Sequence, residues 1–431
     1  DPVAATITAA ADENIDEQAA LDRAAAAADA AWEYFQTQAP RSWVPGYLAD
    51  RRLDTLVAGY APSGDRLIRD LHQQGYTDDE LLAAGLAKAD TRTGRLASRF
   101  HNRLMLPIHD TTGRVVAFIG RTHPNQAGDP PKYLNTPTTG LFRKHQLPYG
   151  LTPGALDRYR AGADLVIVEG PTDTHAVTTA AADQTTAGRP APVVIAPLGT
   201  ALTAGHLATL DDIAPLADRQ VLVVLDNDPA GRAAARRAHR LLLDAGITTT
   251  GTITLPDRHD PAQLHADDPR ALVDALQNPQ PLADLVVEDI VATWMRGVRP
   301  GDWGCVEAVN ALTDVAPIIA RLPPGDRARL AIRVADTTGN DLITVIDHIE
   351  AQVPGRPVDV DPLGLPTPPR LRTVPDPPGA ADPETAPSLR DRIRSIGTHV
   401  ADVRAEGPGR KPLAKEQLPR QAHHREPHLG W

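Results

Sequence analysis

The chain has 431 residues, of which 42% are hydrophobic and 4% aromatic, and its formal net charge is −11 at pH 7. This length accommodates about two or three domains with real cores, and the negative charge argues against a uniformly basic nucleic-acid-binding protein. The single cysteine, Cys305, excludes a disulfide framework and a zinc ribbon, so we expect a free thiol and no zinc.

Membrane and export signals are not visible in the sequence. No apolar run approaches the roughly 18 residues of a membrane-spanning helix, and no basic region precedes an apolar one at the start. These features predict a cytoplasmic protein without a membrane partner. Because the sequence does not begin with Met, we expect a processed chain or a segment of a longer protein.

Elements can be predicted in chain order from apolar spacing and from Gly or Pro breaks. Residues 4–38 are rich in Ala and predict a long helix, and residues 47–53 and 81–86 predict short helical pieces. Residues 103–108 and 115–118 are short apolar runs separated by a turn, which predicts a β-hairpin.

Acidic residues follow three predicted strands in the middle of the chain. The runs 165–168, 222–225 and 252–255 predict buried parallel strands. The acidic residues after them are Glu169 and Asp173, Asp226 and Asp228, and Asp260. Because parallel strands place their carboxyl ends at one sheet edge, these side chains should form a site for Mg²⁺ or Mn²⁺. The alternative is that the Asp residues only cap the helices that follow.

Charge is distributed unevenly around this region. Residues 88–145 contain ten Lys or Arg against three Asp or Glu, whereas residues 164–268 contain seven against fourteen. A basic block beside an acidic block is expected where one part holds phosphates and the other holds metal ions. The alternative is chance variation among solvated faces.

The acidic motifs resemble, in order and spacing, the TOPRIM domain of DnaG-type bacterial primases, topoisomerases and some nucleases. The matching motifs are Glu-Gly-x-x-Asp at 169–173, Gly-Thr-Ala at 199–201, Asp-x-Asp-x-Ala-Gly at 226–231 and Asp-Pro at 260–261. The resemblance implies catalytic roles for Glu169 and Asp173. It implies metal binding by Glu169, Asp226, Asp228 and Asp260. One departure is Ala262, where the primase pattern usually continues with Asp.

The basic block resembles the amino-terminal half of the DnaG primase catalytic core, so the resemblance covers roughly residues 40–275. Its most characteristic part is Pro-Lys-Tyr-Leu-Asn at 131–135. The resemblance implies that the template strand and incoming nucleotide contact Arg51, Arg99, Arg103, Arg121, Lys132, Tyr133, Asn135 and Lys144. Lys and Arg neutralise phosphates, and a Tyr ring can stack on a base. Departures are His101 and Arg52, where the family usually has Arg and Gly. Without the resemblance, a solvated basic loop would be favoured.

The predicted fold class is α/β. We expect a helical extension at 1–39, a basic α+β subdomain at 40–160, a TOPRIM α/β parallel sheet at 161–278 and a helical bundle at 279–352. Fifteen of the last 79 residues are Pro, which predicts a largely disordered tail at 353–431. Within this tail, residues 389–396 could form a short helix.

The leading hypothesis is a primase-like nucleotidyltransferase that binds single-stranded DNA in the basic block. It would join ribonucleoside triphosphates with Mg²⁺ or Mn²⁺ held by the acidic block. Because no zinc-binding or helicase-binding domain is visible, we expect a phage or mobile-element protein with a helicase or relaxase partner. Two alternatives stay open. One is a TOPRIM nuclease or topoisomerase, and the other is a non-catalytic single-strand-binding module, which Ala262 and His101 favour.

Overall fold

The structure is a computed structural model that describes residues 2–90, 94–128, 130–182, 189–199, 201–299 and 306–354, with side chains from residue 16 onward. The predicted disordered tail, its helix at 389–396 and the predicted free thiol of Cys305 lie outside the described residues.

The amino-terminal part combines helices with antiparallel sheets, as expected for an α+β subdomain. Its helices are α1 (Pro2–Gln38), α2 (Val44–Asp50), α3 (Arg66–Gln73) and α4 (Asp78–Ala83), with a 3-10 turn at Ala39–Arg41. Its strands are β1 (Gly59–Ala61), β2 (Ala87–Ala89), β3 (Leu96–Ser98), β4 (Arg103–His109), β5 (Val115–Thr122) and β6 (Tyr133–Asn135). One sheet has the order β1-β4-β5-β6, and β2 pairs with β3. The predicted long helix and the β4–β5 hairpin are confirmed.

Helix α1 packs against the larger antiparallel sheet through small side chains. Ala24, Ala27, Ala31 and Phe35 recur at helical spacing and are fully buried. The Phe35 ring meets the Phe118 ring of β5 nearly edge-on, with the centroids 5.3 Å apart. The Ala-rich extension therefore shares one core with the sheet.

A second sheet follows, flanked by helices on both faces. Its strands are β7 (Leu165–Ile167), β8 (Val193–Ile195), β9 (Val221–Val223), β10 (Thr250–Thr252) and β11 (Gln280–Pro281). The helices are α5 (Pro153–Arg160), α6 (Pro171–Ala180), α7 (Ala204–Ile213), α8 (Pro229–Asp244), α9 (Pro261–Asp267) and α10 (Pro269–Gln277). The order is β11-β10-β9-β7-β8, in which β11 alone runs antiparallel among the described strands. The expected parallel α/β sheet is confirmed.

One strand is displaced from its predicted position. The alternating segment 252–255 is predicted to be a strand, whereas β10 covers Thr250–Thr252 and pairs with β9 through Thr250 and Gly251. Ile253 and Leu255 are buried in the core on the α6 side of the sheet rather than within it. Their alternating pattern therefore reflects burial without strand pairing.

Helices α11 (Leu282–Trp294), α12 (Val306–Ile319), α13 (Pro324–Thr338) and α14 (Leu342–Glu350) complete the described chain. They share one hydrophobic cluster with the parallel sheet, which contains Leu165, Val223, Val286 and Val315. The predicted helical bundle is therefore joined to the sheet by a common core. Within the described ranges, no helix has the length and apolar character needed to cross a membrane.

Candidate active site

Neighbouring strands bring the first two carboxylates together. Glu169 lies two residues after β7, and Asp226 lies three residues after β9. Because β7 and β9 pair in parallel, their carboxyl ends meet at one edge of the sheet. The Asp226 backbone N–H donates to Glu169 Oε1 at 3.1 Å. The sheet therefore places both residues where the sequence predicts them.

Asp228 and Asp260 begin helices at the same edge. Asp228 Oδ1 accepts from the Gly231 N–H at 2.7 Å, and Asp260 Oδ1 accepts from the Gln263 N–H at 2.6 Å. Both residues are N-caps, of α8 and α9 respectively. Both residues therefore cap helices, and a metal-binding role for them stays a prediction. Capping uses one carboxylate oxygen of each, which leaves the second oxygen for another role.

Gly231 allows α8 to approach the acidic turn closely. A Cβ at this position would lie 2.0 Å from the Asp226 carbonyl oxygen, so no other residue type fits without moving the backbone. Close packing therefore explains the Gly at the end of the 226–231 motif. This Gly lets the first turn of α8 lie against Asp226.

Asp173 is buried in the first turn of α6. Its Oδ1 accepts from the Ala262 N–H at 3.2 Å. Burial raises the pKa of Asp173 to about 7, and the nearby Asp260 carboxylate acts in the same direction. Ala262 is itself fully buried. An Asp in place of Ala262 would bury a further carboxylate beside Asp173, which this chain avoids.

Asp226 carries the clearest sign of an unsatisfied charge. Burial raises the pKa of Asp226 to about 7, and Glu169, Asp260 and Asp228 raise it further by repulsion. Its Oδ1 atom is buried and has no hydrogen-bond partner in the described part of the chain. A buried acceptor of this kind is costly unless another group satisfies it.

The donor chemistry of this edge fits a hard divalent cation. Carboxylate oxygens are the preferred ligands of Mg²⁺ and Mn²⁺, and Asp226 Oδ1 offers one that is not already bonded. Within the described residues, no three Asp, Glu, His or Cys side chains already surround one point as metal ligands. The carboxylates therefore share an edge, and ion binding would require side-chain rotation to bring their oxygens together.

Asn227 clamps the turn between Asp226 and Asp228, and sequence reasoning missed it. Its Nδ2 donates to the Leu255 carbonyl oxygen at 3.0 Å and to Asp257 Oδ1 at 3.3 Å. Arg232 Nη1 donates in turn to Asn227 Oδ1 at 3.2 Å. Its position between two predicted metal ligands could have indicated this role, because a side-chain amide can both donate and accept hydrogen bonds.

The clamp continues into the carboxyl-terminal helices. Arg232 Nε and Arg236 Nε lie 3.2 and 3.4 Å from the carboxylate oxygens of Asp289 in α11. Asp289 is largely buried, so water screens these ion pairs less than it screens surface pairs. The acidic turn is thereby tied to the segment that follows β10 and to α11.

Arg121 and Tyr133 join the basic block to the acidic edge. Arg121 is buried between two rings, with its guanidinium carbon 5.0 Å from the Tyr47 centroid and 5.3 Å from the Tyr133 centroid. Its Nη1 donates to the Tyr133 hydroxyl at 2.7 Å, and that hydroxyl lies 3.4 Å from Thr172 Oγ1. Thr172 precedes Asp173, so the two blocks touch.

Lys132 and Arg51 lie beside the same aromatic pair. Lys132 is exposed, and its Nζ lies 5.7 Å from the Tyr133 centroid. Its positive charge acts to lower the pKa of both Asp173 and Asp226, against the larger effect of burial. The Arg51 guanidinium carbon lies 5.3 Å from the Tyr47 centroid. Lys132 therefore borders the acidic edge, whereas Arg51 lies beside the Tyr47 ring.

Other predicted contacts make internal hydrogen bonds. Arg103 is buried, and its Nη1 donates to the carbonyl oxygens of Gly120 at 2.8 Å and Pro131 at 3.1 Å. Arg99 Nε donates to the Asn135 carbonyl oxygen at 3.3 Å. In this arrangement both arginines support β5, β6 and the loop between them.

A turn after β8 borders the far side of the basic block. Asn135 Nδ2 donates to the Leu198 carbonyl oxygen at 3.2 Å, and Asn135 Oδ1 is buried without a partner among the described residues. Leu198 has a φ of +61°, which is unusual for a branched side chain. Lys144 Nζ lies 4.0 Å from the position of a Cβ at Gly199. Asn135 and Lys144 therefore meet at this turn.

The two departures in the basic block have structural explanations. Arg52 has a φ of +54°, the left-handed region in which Gly is favoured, so the usual Gly is a backbone requirement. His101 is exposed, and its Nδ1 accepts from the Gly64 N–H at 3.3 Å. Neither residue lies among the aromatic and acidic contacts described above.

Comparisons with known proteins show which domains the chain resembles. The chain matches the family model "DNA primase catalytic core, N-terminal domain" over residues 35–154 and a Toprim-like family model over residues 166–265. It is 35% identical over 304 residues to the DNA primase of Streptomyces coelicolor, an alignment that covers 68% of this chain and 44% of that protein. The chain thus spans less than half the length of the curated relatives that it matches.

Solved structures show the same likeness. The RNA polymerase domain of Mycobacterium tuberculosis primase DnaG aligns with a TM-score of 0.59 and 28% identity, covering 73% of this chain and 98% of that domain. A DnaG primase catalytic domain bound to single-stranded DNA aligns with a TM-score of 0.58 and 25% identity, covering 75% and 98% respectively. The resemblance expected from the motifs is confirmed. The chain therefore belongs to the DnaG-type primase family, of which it carries the amino-terminal catalytic-core domain and the Toprim domain.

Proposed function

We propose that the chain is a primase catalytic unit that binds single-stranded DNA against its basic block and joins ribonucleoside triphosphates at its acidic edge. One contact carries the proposal: the Tyr133 hydroxyl of the basic block lies 3.4 Å from Thr172 Oγ1, next to Asp173. Phosphates bound by the basic residues would therefore arrive at the carboxylates. A nuclease would use the acidic edge but would not require the Lys132–Tyr133 block.

The acidic edge would hold Mg²⁺ or Mn²⁺ through Glu169, Asp226, Asp228 and Asp260. A bound ion would supply positive charge that offsets the phosphates of the incoming nucleotide. Asp226 would contribute the buried oxygen that now lacks a partner, whereas Asp228 and Asp260 would contribute the oxygens not used in capping. Glu169 receives the Asp226 N–H, which would fix the orientation of its carboxylate toward the edge.

The remaining predicted site residues would hold other side chains in position or neutralise phosphate charge. The exposed Lys132 would contact phosphate directly, and Arg121 would hold the Tyr133 ring in place between the template and the acidic edge. We assign Asp173 a positioning role, because its buried carboxyl holds the Ala262 N–H and so links α6 to α9. Arg99 and Arg103 would hold the β5–β6 surface in shape.

The proposal requires single-stranded DNA and nucleoside triphosphates as partners, and it places the chain in the cytoplasm, where both are found. It is compatible with a helicase or relaxase that delivers the template, and with an origin in a phage or mobile element. The proposed functional domains are a basic subdomain at 40–160 and a catalytic domain at 161–278.

Primer synthesis tests the proposal directly. The chain is incubated with labelled ribonucleoside triphosphates, Mg²⁺ or Mn²⁺ and single-stranded DNA, with Asp226→Asn as the matched variant. Short RNA products from the parent chain but not from the variant would support the proposal. Shortened DNA would indicate a nuclease and contradict it.

A single-strand-binding module is the second candidate, because Ala262 gives this acidic edge one carboxylate fewer than the family pattern. This candidate predicts template binding by the parent chain without any RNA product in either metal. Binding is measured by fluorescence anisotropy on the same labelled strand, so that the two candidates are separated in one sample.

A further inference from the structure

A cavity lies where the amino-terminal part of the chain meets the helices around the parallel sheet. Its volume is about 380 Å³, which is within the range of small-molecule binding sites. Trp32 of α1 and His109 of β4 line it from the amino-terminal part, and Ala155 of α5 and Thr178 of α6 line it from the layer around the parallel sheet. None of the predicted metal, template or nucleotide residues lines this cavity. It is therefore a candidate site separate from the acidic edge and the basic block.

One wall of the cavity is fixed by backbone contacts. Tyr149 and Gly150 line this wall, and Tyr149 exchanges two backbone hydrogen bonds with Ala196, at 2.9 and 3.0 Å. A Cβ at Gly150 would lie 2.2 Å from the Val194 carbonyl oxygen, so the backbone there packs directly on the end of β8. The wall is therefore preformed, as is usual for small-molecule sites.

Arg158 of α5 supplies a positive charge to the cavity. Its Nη1 donates to the Gly154 carbonyl oxygen of the same helix at 3.2 Å, whereas its buried Nε has no hydrogen-bond partner in the described part of the chain. The adjacent Asp157 carboxylate lies 3.6 Å from Arg160 Nη1 and so pairs with a different cation. A guanidinium group can bind a carboxylate or a phosphate through two donors at once. The free Nε therefore favours an anionic ligand.

The other polar groups of the cavity do not neutralise this charge. No Asp or Glu is among the described residues that line it. Burial lowers the pKa of His175 to about 4, with a smaller contribution from His265, and burial also lowers the pKa of His109. Both rings that line the cavity are therefore neutral at pH 7, and His175 Nε2 lies 2.9 Å from Thr55 Oγ1. The cavity thus combines one cation with neutral hydrogen-bonding groups.

Apolar side chains line the cavity beside these polar groups. Trp32 and Leu56 are half-buried, and Val57 is 63% exposed although it lines the cavity. The cavity therefore opens to solvent at Val57. A ligand with an apolar body would remove the exposed parts of these side chains from water, which favours binding.

We propose that this cavity binds a small organic anion, either a carboxylate or a phosphate monoester with an aromatic body. The anionic group would bond to Arg158, and the body would lie against Trp32, Leu56 and Val57. Because the lining comes from both parts of the chain, the bound anion would hold the two parts together and raise Tm. This proposal does not depend on primase activity.

The test uses the full chain and three probes with the same ring system: 2-naphthoate, 2-naphthyl phosphate and the neutral 2-naphthamide. Their affinities are measured by isothermal titration calorimetry at pH 8. We expect at least one anion to bind roughly tenfold more tightly than the amide, because hydrogen bonds to charged groups are the stronger ones. The comparison of the two anions shows whether the site takes a carboxylate or a phosphate. Equal affinities for all three probes, or no binding of any, would overturn the proposal.

Variants locate the bound probe. Arg158→Met should remove the preference for the anions, because Met retains the apolar part of the side chain without its charge. Arg160→Met is the matched control and should bind as the parent does, because Arg160 lies on the same helix but is exposed and does not line the cavity. Thr178→Phe should reduce the binding of all three probes, because the ring would occupy part of the cavity. Thermal melting without probes checks that each variant is folded.

Two further results would contradict the proposal. An anion preference that survives Arg158→Met would show that the anionic group does not bind this guanidinium. Displacement of the probes by single-stranded DNA would show that they bind the basic block instead of this cavity.

Discussion

A buried histidine in α8 provides a test of the core that supports the acidic edge. His239 is 1% exposed, and neither ring nitrogen has a hydrogen-bond partner among the described residues. We expect His239→Leu to increase the free energy of unfolding by about 1–3 kcal/mol at pH 8. The reason is that Leu has a similar volume and leaves no polar atom unpaired in the core.

The pH dependence of the free energy of unfolding gives a second quantity to measure. Burial lowers the pKa of His239 to about 4, with a smaller contribution from Arg321. The ordinary His pKa near 6.5 applies to the unfolded chain, so the unfolded state binds the proton more tightly. Proton uptake by His239 on unfolding therefore does not lower the free energy of unfolding above pH 6.5, and it lowers this free energy increasingly as the pH falls towards 4. Between pH 8 and pH 5 the free energy of unfolding of the parent chain falls by about 2 kcal/mol for this reason, and that of His239→Leu does not.

The assay is urea unfolding followed by circular dichroism at pH 8 and at pH 5. The difference between His239→Leu and the parent chain should grow by about 2 kcal/mol at the lower pH. Other histidines titrate equally in both proteins and cancel from this difference. His348→Gln, at an exposed position of α14, is the control and should show no such growth. An equal difference at both pH values would refute the argument that His239 is held neutral by burial.

Four further predictions concern the proposed site. Asp226→Asn should reduce primer synthesis by roughly a hundredfold or more, because the amide lacks the charge that binds a hard cation. The affinity for single-stranded DNA should stay at the parent value. Parent-like synthesis would show that Asp226 is not a metal ligand. In metal-free protein, Asp228→Ala should lower the free energy of unfolding by about 1 kcal/mol through loss of the α8 cap, whereas Asp228→Asn should not, as measured by thermal melting. Lys132→Ala should reduce the slope of log K against log salt for single-strand binding by roughly 0.7 without changing Tm, since Lys132 is exposed. Arg121→Ala should lower Tm as well, because it empties the space between two Tyr rings, and an unchanged Tm would show that the stack contributes no stability.

The parallel sheet could be predicted because its strands are buried on both faces. Leu165 and Ile167 pack into the cluster on the α8 side, whereas Val166 and Val168 pack into the cluster on the α6 side. Such strands appear in sequence as uninterrupted apolar runs, and their carboxyl ends must share an edge. The meeting of Glu169 and Asp226 follows from this geometry alone.

Side-chain partners outside the motifs could not be predicted in this way. The sequence shows Arg121 as one more cation in a basic block, whereas the structure buries it between Tyr47 and Tyr133, which lie 74 and 12 positions away. No local pattern encodes a stack formed by such separated segments. The clamp on Asn227 is similar, because Asp289 reaches it through Arg232 from a helix far along the chain. Periodicity in the sequence shows which face of a helix or strand is buried, but it does not show which elements pack against each other.

The hydrophobic cluster shared by the parallel sheet and α11–α14 determines how this chain can be divided for experiments. The Toprim-like match ends at residue 265, before α11 begins at Leu282. A fragment cut at that match would lose α11–α14, which contribute Val286 and Val315 to the cluster that contains Val223, and would leave part of that cluster exposed to water. It would also leave Arg232 without Asp289. A fragment designed from sequence similarity would therefore tend to aggregate, and a failure of that fragment to bind metal would say nothing about the intact chain.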